Sequence, residues 1–156
     1  ITPDYGGVEP QIVELEDGRV MMNSRNQSDN PGRLIMISHD GGASFNKKYY
    51  DQQLPSKGCQ ASLIRYNRAG ESTEDRKKPI IFCGPGEGRI KLVIKMSYDD
   101  CLSWPVEREI YSGSSAYSSM TILPNGHIGV LYEKDKYRRL SFVSFPLDWL
   151  AGKDHL

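Results

Sequence analysis

Hydrophobic and polar positions along this chain rarely follow the three-and-four spacing of a helix. They fall instead in short β-rich runs cut by Gly, Asn, Asp and Pro. Residues 11–15 and 20–24 flank Asp17-Gly18, a pair that readily supplies the positive φ angles of a tight turn, and so predict a hairpin. Strands are predicted at 33–38, 47–50 and 61–66. The polar, charged stretch 67–78 reads as an exposed loop. Further strands follow at 80–83, 90–97 and 108–111. Residues 120–123 and 127–132 around Pro124-Asn125-Gly126 predict a second hairpin, 139–145 a last strand, and 146–151 one helical turn. The predicted fold class is all-β, made of consecutive antiparallel strands.

Composition narrows the picture. The 156 residues suit one domain of ordinary size. Lys+Arg and Asp+Glu both total 20, so the excess positive charge of a general nucleic-acid binder is absent and no nucleic-acid partner is expected. A mean hydropathy of −0.54 gives a modest core, and no apolar run reaches the roughly 18–20 residues of a spanning helix, so no integral membrane segment is expected. Cys59, Cys83 and Cys101 have no CxxC spacing and predict neither a zinc knuckle nor a disulfide framework. His39, His127 and His155 form no ligand grouping; neither metal nor cofactor is required. Asn26-Gln27-Ser28 is a glycosylation sequon. The chain opens at Ile1 without a basic and apolar leader pattern, so it is expected to be processed or to be a piece of a longer protein.

A repeat is hidden in the strand series. Ser38-His39-Asp40-Gly41-Gly42-Ala43-Ser44-Phe45 matches Ser97-Tyr98-Asp99-Asp100-Cys101-Leu102-Ser103-Trp104 in its Ser-x-Asp, in a Ser four residues after the Asp, and in the aromatic that follows. The copies stand roughly 60 residues apart, within reach of one four-stranded propeller blade with its loops. Each Asp can accept backbone N–H groups across a turn while the ring packs back on the sheet. Ser38, Asp40, Phe45, Ser97, Asp99 and Trp104 are therefore read as structural.

The two copies resemble the Asp boxes of the sialidases (neuraminidases), a family of six-bladed β-propellers, with Cys101 standing where Gly is common. Asp boxes also occur in unrelated propellers, so function has to come from other residues. A sialic acid is itself a carboxylate, which the fork of an arginine fits. Its anomeric carbon lies beside that carboxylate, which would repel an anionic nucleophile, so a neutral tyrosine with a nearby Glu as base suits the task. Four positions match in type, context and order. Glu9, in Val8-Glu9-Pro10-Gln11, resembles the general base. Arg25, in Asn23-Ser24-Arg25-Asn26, and Arg89, ahead of the second box, resemble the second and third arginines of the carboxylate-binding triad. Tyr117, in Ser115-Ala116-Tyr117-Ser118, resembles the nucleophile. Glu133, in Leu131-Tyr132-Glu133-Lys134, resembles the Glu that supports the first triad arginine.

Taken singly, each has a plain structural reading: Tyr117 a strand tyrosine, Arg25 and Arg89 solvated arginines, Glu9 a turn residue, Glu133 part of a charge run. The ordered set, interleaved with both boxes, carries the sialidase reading. What it implies is an exo-α-sialidase acting with retention on terminal sialic acids of glycoproteins, glycolipids and oligosaccharides. Sialylated glycans are then the partners, in a secreted, lysosomal or membrane-peripheral setting rather than the cytosol. An inactive sialic-acid-binding propeller and a trans-sialidase are the alternatives. No Arg-Ile-Pro segment is present for the first triad arginine, and Asp4 and Asp29 do not match the acid/base loop. Residues 1–156 are thus expected to be the C-terminal part of a single propeller domain, about three blades. The N-terminal half would be the missing partner, and the chain alone would be inactive.

Overall fold

A computed structural model describes residues 6–54, 58–67 and 78–153, apart from the Glu87 side chain; most of the predicted 67–78 loop lies outside the described residues. The first four strands, β1 (Gly7–Glu14), β2 (Val20–Asn26), β3 (Arg33–Ser38) and β4 (Lys47–Asp51), form an antiparallel sheet in sequence order. Next come β5 (Ser62–Arg65), β6 (Ile80–Pro85), β7 (Ile90–Ser97), β8 (Val106–Ile122), β9 (Ile128–Lys134) and β10 (Arg139–Phe145), also a meander, with one helical turn α1 (Leu147–Leu150) at its end.

One strand departs from expectation. The predicted 108–111 and 120–123 are the two ends of β8, which runs through the Gly113-Ser114-Ser115 stretch that carries no strand signal of its own. Up to Ser114 it pairs with β7, and from Ser115 it pairs with β9. Its first half thus completes a four-stranded unit β5–β8, and its second half opens a three-stranded unit with β9 and β10. A change of partner keeps the backbone extended where composition alone would not.

The units stack through two cores. Val13, Ile35 and Ile37 of the first sheet meet Leu63, Phe82 and Trp104 of the second unit. Ile81, Ile94 and Met96 on the second unit's other face meet Ile128, Val130 and Phe145 of the third. Ile80 and Phe82 on β6 therefore turn to one core while Ile81 and Cys83 turn to the other, and all of β6 is buried. This is part of a β-propeller, with the middle blade covered on both faces.

Both predicted hairpins form, by a slightly different turn. Gly18 N–H donates to Leu15 O at 3.0 Å and Gly126 N–H to Leu123 O at 2.8 Å, and in each turn only the glycine takes a positive φ, 82° and 81°. Each is a three-residue loop closed by a left-handed glycine rather than a turn with two left-handed residues. The sequon asparagine is structural. Asn26 is buried, and its amide donates to Asn30 O at 2.7 Å and Gly32 O at 3.1 Å.

The Asp boxes match bond for bond. Asp40 accepts from Ser44 Oγ at 2.6 Å, Ser44 N–H at 2.8 Å and Ser38 Oγ at 2.7 Å. Asp99 accepts from Ser103 Oγ at 2.6 Å, Ser103 N–H at 2.9 Å and Ser97 Oγ at 2.8 Å. Gly41 and Gly42 have φ of 70° and 94°; their counterparts Asp100 and Cys101 hold 56° and 68° despite their side chains. Asp100 is kept there by Arg65 Nη2 at 2.7 Å and by Glu16 N–H at 2.9 Å. Trp104 packs in the first core and donates Nε1–H to Asp51 Oδ2 at 3.0 Å, whereas Phe45 is only half-buried.

Candidate active site

Two β-bulges build the centre of the site. In β1, Val8 pairs with Arg25 and Gln11 with Asn23, so Glu9 and Pro10 stand opposite Ser24 alone. Pro10 has no N–H to give a ladder and suits the interruption. Glu9 is left-handed there, with φ 50°, a conformation that costs roughly 1–2 kcal/mol for a residue with a Cβ. In β8, Ser115 pairs with Lys134 and Ser118 with Tyr132, so Ala116 and Tyr117 stand opposite Glu133 alone. Bulges re-aim side chains, and these two bring together residues 108 positions apart: the Tyr117 hydroxyl donates to Glu9 Oε1.

The arginines bracket this pair. Arg25 Nη1 donates to Glu9 Oε2 at 3.2 Å. Arg89 ends a single 3-10 turn, Glu87–Arg89, and is itself left-handed at φ 58°. Its guanidinium carbon lies 5.9 Å from the centre of the Tyr117 ring, within cation–π range. It donates to Tyr137 Oη at 2.6 Å and to Gly58 O at 3.1 Å. Glu133 accepts the Tyr117 backbone N–H, displaced from the ladder by the bulge, at 3.1 Å. The other four predicted site residues thus gather around Tyr117, Glu133 at its backbone. Non-glycine residues held at positive φ are a recurrent feature of functional sites.

Electrostatics set the proton's place. Partial burial works to raise the Glu9 carboxyl, but hydrogen bonds from Tyr117 and Arg25 and the charges of Arg25 and Arg89 outweigh it and hold Glu9 below the usual carboxylate range. The hydrogen bond to Glu9 pushes the Tyr117 phenol up, with desolvation adding to it. The resting pair is a neutral tyrosine against an ionised glutamate. A cavity of about 300 Å³ opens alongside, lined in part by Gln60, Tyr117, Leu131, Glu133 and Leu140. Among the described residues, no group of three or more His, Cys, Asp and Glu is placed to hold a metal ion.

No protein-family model matches the chain. A curated sialidase from Micromonospora viridifaciens is 37% identical over 146 residues, covering 92% of this chain. The chain belongs to the sialidase family. It spans 22% of the length of the Micromonospora protein. Among solved structures, the Hadza microbial sialidase Hz136 matches with a TM-score of 0.77 and 26% identity over 93% of this chain and 28% of its own. The intramolecular trans-sialidase of Ruminococcus gnavus matches at 0.74 and 25%, over 91% of this chain and 33% of its own.

The structure adds residues around this cluster that the sequence did not single out. Tyr137 sits in a turn where Asp135, Lys136 and Tyr137 all have positive φ, and its hydroxyl takes up Arg89; in the sequence it is one tyrosine in a charge run. Arg33, with no motif of its own, is wholly buried. It donates to Asn23 Oδ1 and, at 2.8 Å, to Cys59 O; burial lowers it to about 10, still ionised at neutral pH. Gln60 is the third, and a lone Gln ahead of a strand carries no sequence signal.

Proposed function

We propose that this chain supplies the nucleophile, its base and two carboxylate-binding arginines of an exo-α-sialidase acting with retention on terminal sialic acids of glycoconjugates. The observation that carries the reading is the Tyr117–Glu9–Arg25 chain of hydrogen bonds, with Arg89 over the same phenol. Arg25 and Arg89 take the sugar carboxylate and set the anomeric carbon against Tyr117 Oη. The Tyr117 O–C bond then forms as the glycosidic C–O bond breaks. The phenolic proton passes to Glu9, and the leaving oxygen takes a proton from an acid outside the residues named here. Water next attacks the sialylated tyrosine; the phenolate recovers its proton from Glu9, and the proton of the water goes to the conjugate base of that acid.

In the intact protein, a fluorinated sialoside should trap a sialyl adduct, located on Tyr117 by peptide mass spectrometry. Tyr117→Phe, lacking the nucleophilic oxygen, should lose the adduct and retaining turnover. A wild type that binds sialic acid but forms no adduct would make this a sialic-acid-binding propeller. Near wild-type retaining turnover in Tyr117→Phe would sink the nucleophile assignment. Transfer to an internal hydroxyl is the second reading, favoured by the likeness to the Ruminococcus trans-sialidase; product analysis for an anhydro sugar separates the two.

A further inference from the structure

Tyr117 is aimed by a bulge, and a bulge frees backbone groups that something else must hold. Glu133 takes the N–H of Tyr117 itself. The next residue is held from another unit: Ser118 N–H donates to Gln60 Oε1 at 3.0 Å, and Gln60 Nε2 donates to Ser118 O at 3.0 Å. One side-chain amide thus closes both backbone groups of Ser118, as a neighbouring strand would. The Ser118 hydroxyl is fixed as well, donating to Cys83 O at 2.8 Å and lying 3.0 Å from Ser62 Oγ.

The segment that carries Gln60 also reaches the other side of the site. Gly58 O receives Arg89 at 3.1 Å. Cys59 O receives the buried Arg33 at 2.8 Å. Three consecutive residues therefore touch the recognition arginine, a buried support and the strand of the nucleophile.

We propose that Gln60 is a positioning residue: its amide stands in for a strand at Ser118 and fixes the Tyr117 hydroxyl against Glu9, with residues 58–60 tying that aim to Arg89. This rests on the sialidase reading for its kinetic consequence, but the clamp itself is a property of the fold. Gln60 touches no reacting atom in this scheme. Its removal should therefore lower kcat and spare KM, because misplacement by about 1 Å can lower a rate roughly 10²-fold while substrate recognition persists.

The test uses the intact protein. Gln60→Met keeps the volume and removes both bonds; Gln60→Glu keeps the reach and the acceptor for Ser118 N–H but loses the donor. We expect kcat to fall roughly 10- to 100-fold in Gln60→Met with KM within about threefold, and Gln60→Glu to recover part of the loss. Peptide-resolved hydrogen exchange over residues 116–119 should show faster exchange at Ser118 in Gln60→Met. Unchanged kcat, unchanged exchange, or a rise in KM at constant kcat would each overturn the proposal, the last by making Gln60 a substrate contact. If Gln60→Met does not fold, Gln60→Glu decides: wild-type kcat and exchange there would refute the clamp. A wild type that cleaves no sialoside would remove the sialidase reading, and Ser118 exchange would still decide the clamp.

Discussion

The proton between Tyr117 and Glu9 rests on the tyrosine because two displacements widen the gap between the groups, the phenol pushed up and the carboxyl held down. As the proposed base, Glu9 would work only when ionised. It should therefore set an acid limb in kcat/KM that lies below its ordinary value of 4.5, with activity falling as pH drops through it. Arg25→Gln removes both a hydrogen bond and a charge from Glu9, so in that variant the limb should move to higher pH. A pH–rate profile with an unmoved limb would show that Glu9 is not the group titrating. The arginines make a second prediction at this scale. Arg89 donates in two directions, to Tyr137 and Gly58, while stacking near the Tyr117 ring; one ammonium cannot reproduce that fork. Arg25→Lys or Arg89→Lys should each weaken a sialic acid analogue by roughly 2–4 kcal/mol, about 30- to 1,000-fold, read by titration calorimetry. An unchanged Kd would remove the arginine from carboxylate recognition.

Among the elements, the two Asp boxes share a bonding pattern and differ in what surrounds it. Asp40 is held down to about 2, first by the Ser44 hydroxyl, then by the Ser44 N–H and Ser38. A depressed carboxyl stabilises the fold above its unfolded value of 3.8, and the contribution is lost as pH falls from there toward 2. Asp99 is lowered as well: burial opposes the shift, and hydrogen bonds from Ser103 and Ser97 outweigh it. The second box is also wedged into the first core through Cys101 and Trp104 and tied to β5 through Arg65. Asp99→Asn should therefore lower Tm more than Asp40→Asn. With solvent screening allowed for, we expect about 1 kcal/mol, or about 2–4 °C, for Asp99→Asn. Equal shifts in near-ultraviolet melts would contradict the wedge. This contrast also marks what the sequence could carry. Short-range chemistry was legible in it: alternation, turn glycines, and the Ser-x-Asp spacing that fixes each box locally. The bulges were not, because a bulge is a mismatch between two strands and neither strand states it alone. Pro10, which cannot donate to a ladder, is compatible with the bulge at Glu9 but does not by itself predict one, and nothing in Ser115-Ala116-Tyr117-Ser118 announces the other. Gln60, Tyr137 and Arg33 act across long separations, and their residue types are common in any chain.

For the whole molecule, the middle unit is covered on both faces while the outer ones are not. Ile12 on the first sheet is 65% exposed, and Leu140 and Phe142 on the third are 69% and 57% exposed. Apolar positions on strands that elsewhere alternate toward a core are association hazards when no neighbour covers them. The site is likewise one-sided. Among the described residues, the carboxylates hydrogen-bonded to Tyr117 are Glu9 and Glu133. Glu9 takes the phenol and Arg25, and Glu133 takes a backbone N–H, so the proposed reading assigns neither the task of protonating a departing oxygen. On the proposed reading the carboxylate of the sugar would meet Arg25 and Arg89, where the family resemblance implies a third arginine. General-acid catalysis contributes about 10²–10⁴-fold, and weaker anchoring of the carboxylate adds to that loss. We therefore expect the 156-residue chain, expressed by itself, to be inert on sialosides while still placing Tyr117 against Glu9. Association of two copies would cover Ile12 or Phe142 without creating the acid, so oligomers should be as inactive as monomers. The assay is fluorophore release from an aryl sialoside, whose leaving group needs little protonation and so gives the chain its best chance. Light scattering on the same sample reports its state. Turnover within tenfold of an intact sialidase, from monomer or oligomer, would mean that this chain carries its own acid.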